Sequence, residues 1–223
     1  MVHRWSDLTF LHWRYDAATI QPLLPAGLTV ETYGGDAWVG LVPFHMRVRA
    51  PGLPAVPWAS YFPETNVRTY VTGPDGKTGV WFFSLEAARL GAVLAGRSLN
   101  LNYCWAQMRL ERDGDVVRYE STRRWPGPAG ARNRAEVKAG EPFAAADLTA
   151  FDHYLTARFR LWTVLNRKPV RMQAHHPPWP LRRATVRDLD PGLVTAAGLP
   201  EPEGEPIVHF SDGVEVRIGA PQR

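Results

Sequence analysis

The stretch YFPETNVRTYV (61–71), the turn GPDGKTG and the returning arm VWFFSLEA constrain the fold more than any other part of the chain. A strand from Thr65 to Val71 puts Glu64, Asn66, Arg68 and Tyr70 on one face, with Thr65, Val67, Thr69 and Val71 on the other. The returning arm carries bulky residues on both of its faces, so neither face is simply wet. That favours a closed or sandwiched sheet over a one-sided one.

The rest of the sequence supplies partners for this hairpin. LTFLHWRY (8–15) alternates as a strand, Asp16 is placed to cap a short helix through AATIQPLL, and Pro25 ends it near Leu24. LTVETY, the turn GGD and AWVGLVPFHMRVR read as a hairpin, with Trp38, Val42, Phe44 and Met46 on one face of its second arm. APGLPAVPWASYFP (50–63) reads as a packed, aromatic-rich lid. EAARLGAVLAGR (86–97) is helix-like, and Asp-Gly in RDGD suits a tight turn between LNYCWAQMRLE and VVRYESTRRW. ARNRAEVKAG reads as another strand. DLTAFDHYLTARFRLWTVL (147–165) predicts the longest helix, capped by Asp147, with Leu148, Phe151, Leu155, Phe159 and Trp162 as its apolar stripe. The segments VRMQAHHPPWPLRRATVRDL and PIVHFSDGVEVRIG supply the final strands. About ten strands, one substantial helix and two smaller ones, mostly in hairpin order, predict an α+β, mostly antiparallel β domain over 1–223.

Composition excludes several function classes. The 223 residues carry a formal charge of +4, but only three of the 26 basic residues are lysines, and the arginines are scattered and paired with acids, as in RDLD and RLERDGD. This is a solvated surface, so no nucleic-acid partner is expected. No run approaches the roughly 20 apolar residues of a membrane span, and the N-terminus lacks the apolar core of a signal peptide, so the expectation is a cytoplasmic protein without membrane association. The single cysteine, Cys104, reads as a buried structural thiol. There is no GxGxxG, no GxxxxGK[ST] and no GxSxG. The adjacent His175 and His176 point to opposite sides of an extended segment, so no metal and no cofactor is expected. Of His12 and Trp13, alternation turns one inward and one outward, and His12 reads first as a core or rim histidine.

The pieces LTFLHW, LLPAGLTVETYGGDAWVGLVPFHM, FPETNVRTYV, GVWFFSLEA, GRSLNLNYCWAQM and LTARFRLW, in this order, closely resemble the YqjF-like family, a domain of unknown function (2071), over essentially the whole chain. That family in turn is similar to the acetoacetate decarboxylases. The likeness rests on the N-terminal strand, the helix and LLPAGL turn, the acid after the lid, and a Gly-Arg pair (Gly96, Arg97) before a strand with Tyr103. It implies a closed, cone-like β-barrel with flanking helices and a ligand cavity. The decarboxylases follow Gly-Arg with Tyr-Pro-Lys-Lys, whose first lysine forms a Schiff base, whereas this chain has Asn102-Tyr103-Cys104-Trp105. Lys77, Lys138 and Lys168 all lie in turns or beside a bend, where no desolvation holds an amine neutral. A Schiff-base decarboxylase is therefore not expected.

The resemblance matches Glu64 to a pocket carboxylate and Arg97 to the arginine of the Gly-Arg pair, and places Arg68, Arg158 and Tyr103 at positions of the YqjF-like pattern. A dry interior raises the pKa of a lone carboxylate unless a guanidinium stands near, and Glu64 and Arg68 have side chains long enough to lean together. The leading expectation is a small-molecule-binding barrel, an enzyme of lysine-independent acid/base type acting on a carbonyl or carboxylate compound. Its candidate catalytic residues are Glu64, Arg68 and Tyr103. Tyr70, Asn66, Arg97 and Arg158 are candidate polar ligand contacts, and Trp38, Phe44, Trp58 and Phe82 the apolar walls. The alternatives are a non-catalytic ligand-binding or sensing module, or a structural ion-pair network. A small-molecule ligand is the expected partner, and a homo-oligomer is compatible with the sequence.

Overall fold

The structure is a computed structural model that describes residues 1–49 and 60–222. Trp58 and most of the expected lid lie outside the described residues. Twelve strands form one mixed sheet: β1 (Val2–Tyr15), β2 (Thr29–Val30), β3 (Ala37–Arg49), β4 (Tyr61–Thr72), β5 (Thr78–Ala87), β6 (Tyr103–Asp113), β7 (Val116–Trp125), β8 (Arg132–Pro142), β9 (Arg160–Leu165), β10 (Lys168–His175), β11 (Leu181–Asp190) and β12 (Ile207–Ile218). Helices are short: α1 (Ala17–Ile20), α2 (Leu90–Ser98), α3 (Ala150–Thr156) and α4 (Gly192–Ala196). The strand order is β10-β9-β5-β6-β7-β8-β11-β12-β1-β3-β4-β2, and two further pairings, β4–β5 and β10–β12, tie the sheet back to itself. Among the described residues no helix is long and apolar enough to cross a membrane.

The opening hairpin is as expected, with β4 and β5 antiparallel and β4 running slightly longer than Thr65–Val71. Asp16 caps α1 by accepting from the Ala18 amide, and the 3-10 turn Gln21–Leu23 ends before Pro25. Elsewhere the hairpin reading fails in instructive ways. LTVETY gives only the two-residue β2, which pairs with β4 instead of β3, because the GGD turn closes on a single Tyr33–Asp36 bridge. β5 runs parallel to both β6 and β9, and α2 supplies the crossover that a parallel β5–β6 pair requires.

The long helix expected over 147–165 is really about two turns of helix, Ala150–Thr156, followed by a strand. Thr149, not Asp147, is its cap: the Thr149 side chain accepts from the Asp152 amide while the Asp152 carboxylate accepts from the Thr149 amide. Beyond Thr156 the run RLWTVL, rich in β-branched and aromatic residues, pairs as β9. Trp162 then lies against Gly73 and Gly79 of the β4–β5 hairpin, where a Cβ at either position would press on the indole. These two glycines, not a helical stripe, account for its burial.

Both faces of the central strands are buried. Leu11, Trp13, Val39, Leu41 and Val67 pack with Val117, Tyr119, Ala135 and Val137 on one side. Phe10, Val42, Phe44, Phe62 and Ala87 pack with Trp179 and Leu181 on the other. His12 and Trp13 are consequently both inside, at 0% and 3% exposure, because β1 has no wet face there.

On the first side, Glu86 and Arg123 form an ion pair buried at 0% and 4%, with Arg123 Nη2 and Nε donating to the two carboxylate oxygens at 2.6 and 3.1 Å. Removing one partner strands a charge in the interior. Arg123→Met is expected to cost about 3–5 kcal/mol in urea unfolding, the Glu86→Gln/Arg123→Met double variant less, and the exposed-pair variant Arg118→Met to leave the urea midpoint nearly unchanged. A double variant no more stable than Arg123→Met would contradict this account of the pair.

Candidate functional site

The other side of β4 carries the expected polar row. Glu64, Asn66, Arg68 and Tyr70 are exposed by 2%, 5%, 8% and 0%, so the face is interior. Cross-strand register puts Phe44 opposite Glu64, Val42 opposite Asn66 and Gly40 opposite Arg68 on β3. His12 of β1 stands opposite Gly40, and His209 of β12 opposite Phe10 of β1. A Cβ at Gly40 would press on the His12 ring, so this glycine makes the room that the imidazole occupies beside Arg68.

Among the described residues Glu64 has one polar side-chain partner, Tyr103, whose hydroxyl donates to Oε2 at 3.0 Å. Burial pushes the Glu64 carboxyl up to about 8; the Tyr103 hydrogen bond pulls the other way, and the charge of Glu86 adds to the rise. At neutral pH the group is therefore an acid that holds its proton. Tyr103 is itself driven well above the usual phenol range by burial and by Glu64. Its placement explains the Gly-Arg pair: a side chain at Gly96 would overlap the Tyr103 ring, and Arg97 donates to the Tyr103 carbonyl at 2.9 Å. The exposed Arg97 guanidinium otherwise lies over Trp125.

Arg68 and Glu64 do not pair. Among the described residues neither makes an ion pair, and the Arg68 Nη2 donates instead to the Leu155 carbonyl of α3 at 3.0 Å. Its guanidinium carbon sits 5.4 Å from the Phe10 ring centre and 5.7 Å from that of Tyr70, while Nε has no partner among the described residues. Tyr70 also donates to the Leu155 carbonyl, and its oxygen lies 2.7 Å from His12 Nε2. His12 is held well below 6.5, first by burial and then by the charges of Arg68, His209 and Arg158, and stays neutral. Arg158, in contrast to Arg68, is neutralised: it grips Glu31 through Nη1 and Nη2 at 2.9–3.1 Å and covers the Tyr70 and Tyr154 rings.

Among the described residues, Asn66 Oδ1, Arg68 Nε, His12 Nδ1 and His209 Nδ1 on this face are buried without partners. Such atoms are rare in folded proteins, and each calls for a physical explanation. Phe44 belongs to the apolar lining here, and Trp38 and Phe82 flank Tyr70 and Leu155. Two surface pockets, of about 530 and 520 Å³, lie elsewhere, one beside Asp16, Asp36 and Glu203, the other beside Phe159, Arg160 and His175. Sequence reading underweighted His12 and passed over His209 and Asp152. His209 Nε2 is 2.8 Å from Asp152 Oδ1, a contact between residues 57 apart that no local pattern announces. Cys104 is buried on the Glu86 side, and burial pushes its thiol up to about 11, as an inert structural thiol requires.

The fold is that of acetoacetate decarboxylase-like proteins. An acetoacetate decarboxylase-like enzyme from Sphingomonas wittichii RW1 superposes over 100% of this chain and 92% of its own with a TM-score of 0.66 at 16% identity. The enduracididine biosynthesis enzyme MppR complexed with pyruvate superposes over 99% and 89%, with a TM-score of 0.66 at 13% identity. The acetoacetate decarboxylase of Legionella pneumophila covers 99% and 88% with a TM-score of 0.63 at 12% identity. The chain itself belongs to the DUF2071 family of uncharacterized conserved proteins, whose pattern matches residues 2–215. It is 37% identical over 218 residues to the uncharacterized protein YqjF of Bacillus subtilis (strain 168), spanning 97% of this chain and 89% of that one.

The raised Glu64 pKa has a stability consequence with a definite sign. The folded state favours the protonated form, so this contribution is fully present below about 4.5 and is lost as pH rises through about 8. Glu64→Gln, which cannot ionise, should gain on the wild type from pH 6 to pH 9 by an amount on the order of a few kcal/mol. Denaturant midpoints at the two pH values check this, and a difference independent of pH would contradict it.

Proposed function

We propose that the protein binds a small carboxylate that also bears a carbonyl group, inside one closed, cone-like barrel domain, and acts on it by lysine-independent acid/base chemistry. The observation that carries this reading is Arg68, a buried guanidinium with no carboxylate partner among the described residues and with Nε unmet. A buried cation is costly without an anion, and a ligand carboxylate supplies one. Further along the same strand, protonated Glu64, held by the hydrogen bond from the Tyr103 hydroxyl of β6, is the donor for the carbonyl end. Asn66, between them on β4, offers an unmet amide oxygen. The pyruvate in the MppR complex supports the ligand class. Amine chemistry is disfavoured because Lys77, Lys138 and Lys168 are all exposed.

The test is thermal denaturation with pyruvate as the probe. Pyruvate is expected to raise the wild-type melting temperature in a concentration-dependent way. Arg68→Met should weaken binding at least about 30-fold, as expected when one side of a desolvated charge pair is removed. Borohydride treatment with pyruvate should leave no covalent adduct. Equal stabilisation of Arg68→Met, or a trapped lysine adduct, would contradict the proposal.

A further inference from the structure

Two imidazoles face the interior on this side, His12 beside Arg68 and His209 opposite Phe10, and their surroundings differ in kind. His12 is bonded to the Tyr70 hydroxyl and ringed by Arg68, Arg158 and His209, so a proton there meets only like charge. His209 instead has a carboxylate at its back: Nε2 lies 2.8 Å from Asp152 Oδ1, with the His209 side chain 3% and the Asp152 side chain 16% exposed. Asp152 is fixed on α3 by its own cap, accepting from both the amide and the hydroxyl of Thr149. Burial pushes its carboxyl upward, but the Thr149 hydrogen bonds and His209 outweigh that and hold it below the usual aspartate range. An ionised Asp152 fixes the tautomer, because Nε2–H must donate to it. In the neutral ring so held, Nδ1 is the nitrogen left to accept, and it is buried without a partner among the described residues.

The two ends of α3 bring this dyad and the anchor together. Asp152 holds His209, and one turn later the Leu155 carbonyl holds both Arg68 and Tyr70. Phe10 lies between, opposite His209 in register and 5.4 Å from the Arg68 guanidinium carbon. A carboxylate, a histidine and an unmet ring nitrogen in a dry interior form the orienter-and-base pair of general-base catalysis.

Resting on the reading of Arg68 as a carboxylate anchor, we propose that His209, positioned by Asp152, is the general base of this site and abstracts a proton from the carbon next to the ligand's carbonyl. In that step the C–H bond breaks and its proton goes to His209 Nδ1. The electron pair forms the C=C bond of an enol, and the carbonyl oxygen takes the proton of the Glu64 carboxyl. Reversal restores both groups, so no oxidant or reductant is consumed. Asp152 is a positioning residue that sets the tautomer and offsets the charge of the imidazolium.

The experiment follows the methyl protons of pyruvate by NMR in D2O with the full-length protein, alongside pyruvate binding by calorimetry. The wild type is expected to bind pyruvate and to exchange its methyl protons for deuterium above the buffer rate. His209→Gln should slow exchange at least about 100-fold while changing Kd less than about threefold. Asp152→Asn gives a readout that a structural clamp would not. Its amide oxygen can keep the Thr149 cap, but its NH2 then donates to Nε2, moves the ring proton to Nδ1 and abolishes the base; exchange should fall by about 100-fold or more with binding kept. Exchange undiminished in either folded variant overturns the proposal, as does wild-type binding without exchange. Absence of pyruvate binding overturns the Arg68 anchor, and this inference with it, which separates the two failures. Should His209→Gln not fold, the wild type and Asp152→Asn decide the outcome.

Discussion

Everything distinctive about this protein follows from a strand that has no wet face. β4 is buried on both sides, so each polar group it or its neighbour β5 carries must be met inside the protein or left unmet. The two sides solve this differently. Glu86 on β5 points to the side of Val67 and is clasped by both arms of Arg123. Glu64 on β4 points to the other side, has a tyrosine where Glu86 has an arginine, and keeps its proton. Arg68, four residues along, has a carbonyl and aromatic rings for company instead of a carboxylate. On the first side the buried carboxylate is paired with its arginine, and on the other the carboxyl of Glu64 and the guanidinium of Arg68 are held apart.

Helix α3 is what holds them apart. Its Leu155 carbonyl occupies Arg68 and Tyr70, its Asp152 occupies His209, and Trp179 reaches the Thr156 carbonyl at 3.0 Å. A helix of seven residues is too short to be stable by itself. It persists because the capping box starts it and these tertiary bonds pin its last turn. The same bonds keep Arg68 from swinging toward Glu64.

Much of this was legible in the sequence. The alternation of ETNVRTY identified the polar face, and bulky residues on both sides of VWFFSLEA implied its burial. What was not legible depended on distant contacts. Trp162 fits a helical stripe until Gly73 and Gly79 are seen to lie against it from the β4–β5 turn. His12 and Trp13 look like an inside-outside pair until the second packed side of β1 is known. Thr149-x-x-Asp152 is a visible capping box, but its second task, holding His209, appears only when β12 and α3 are brought together. Local pattern specified the polar face of β4 and the Asp16 cap, whereas the partners of buried groups are a property of topology.

The central claim is that the interior keeps Glu64 protonated on the same strand face as an arginine that has no carboxylate partner among the described residues. The most direct measurement is a pH titration of the Glu64 carboxyl carbon by 13C NMR in glutamate-labelled protein, assigned by comparison with Glu64→Gln. A midpoint near 8 is the predicted result, and a midpoint near the ordinary glutamate value of 4.5 would contradict the account.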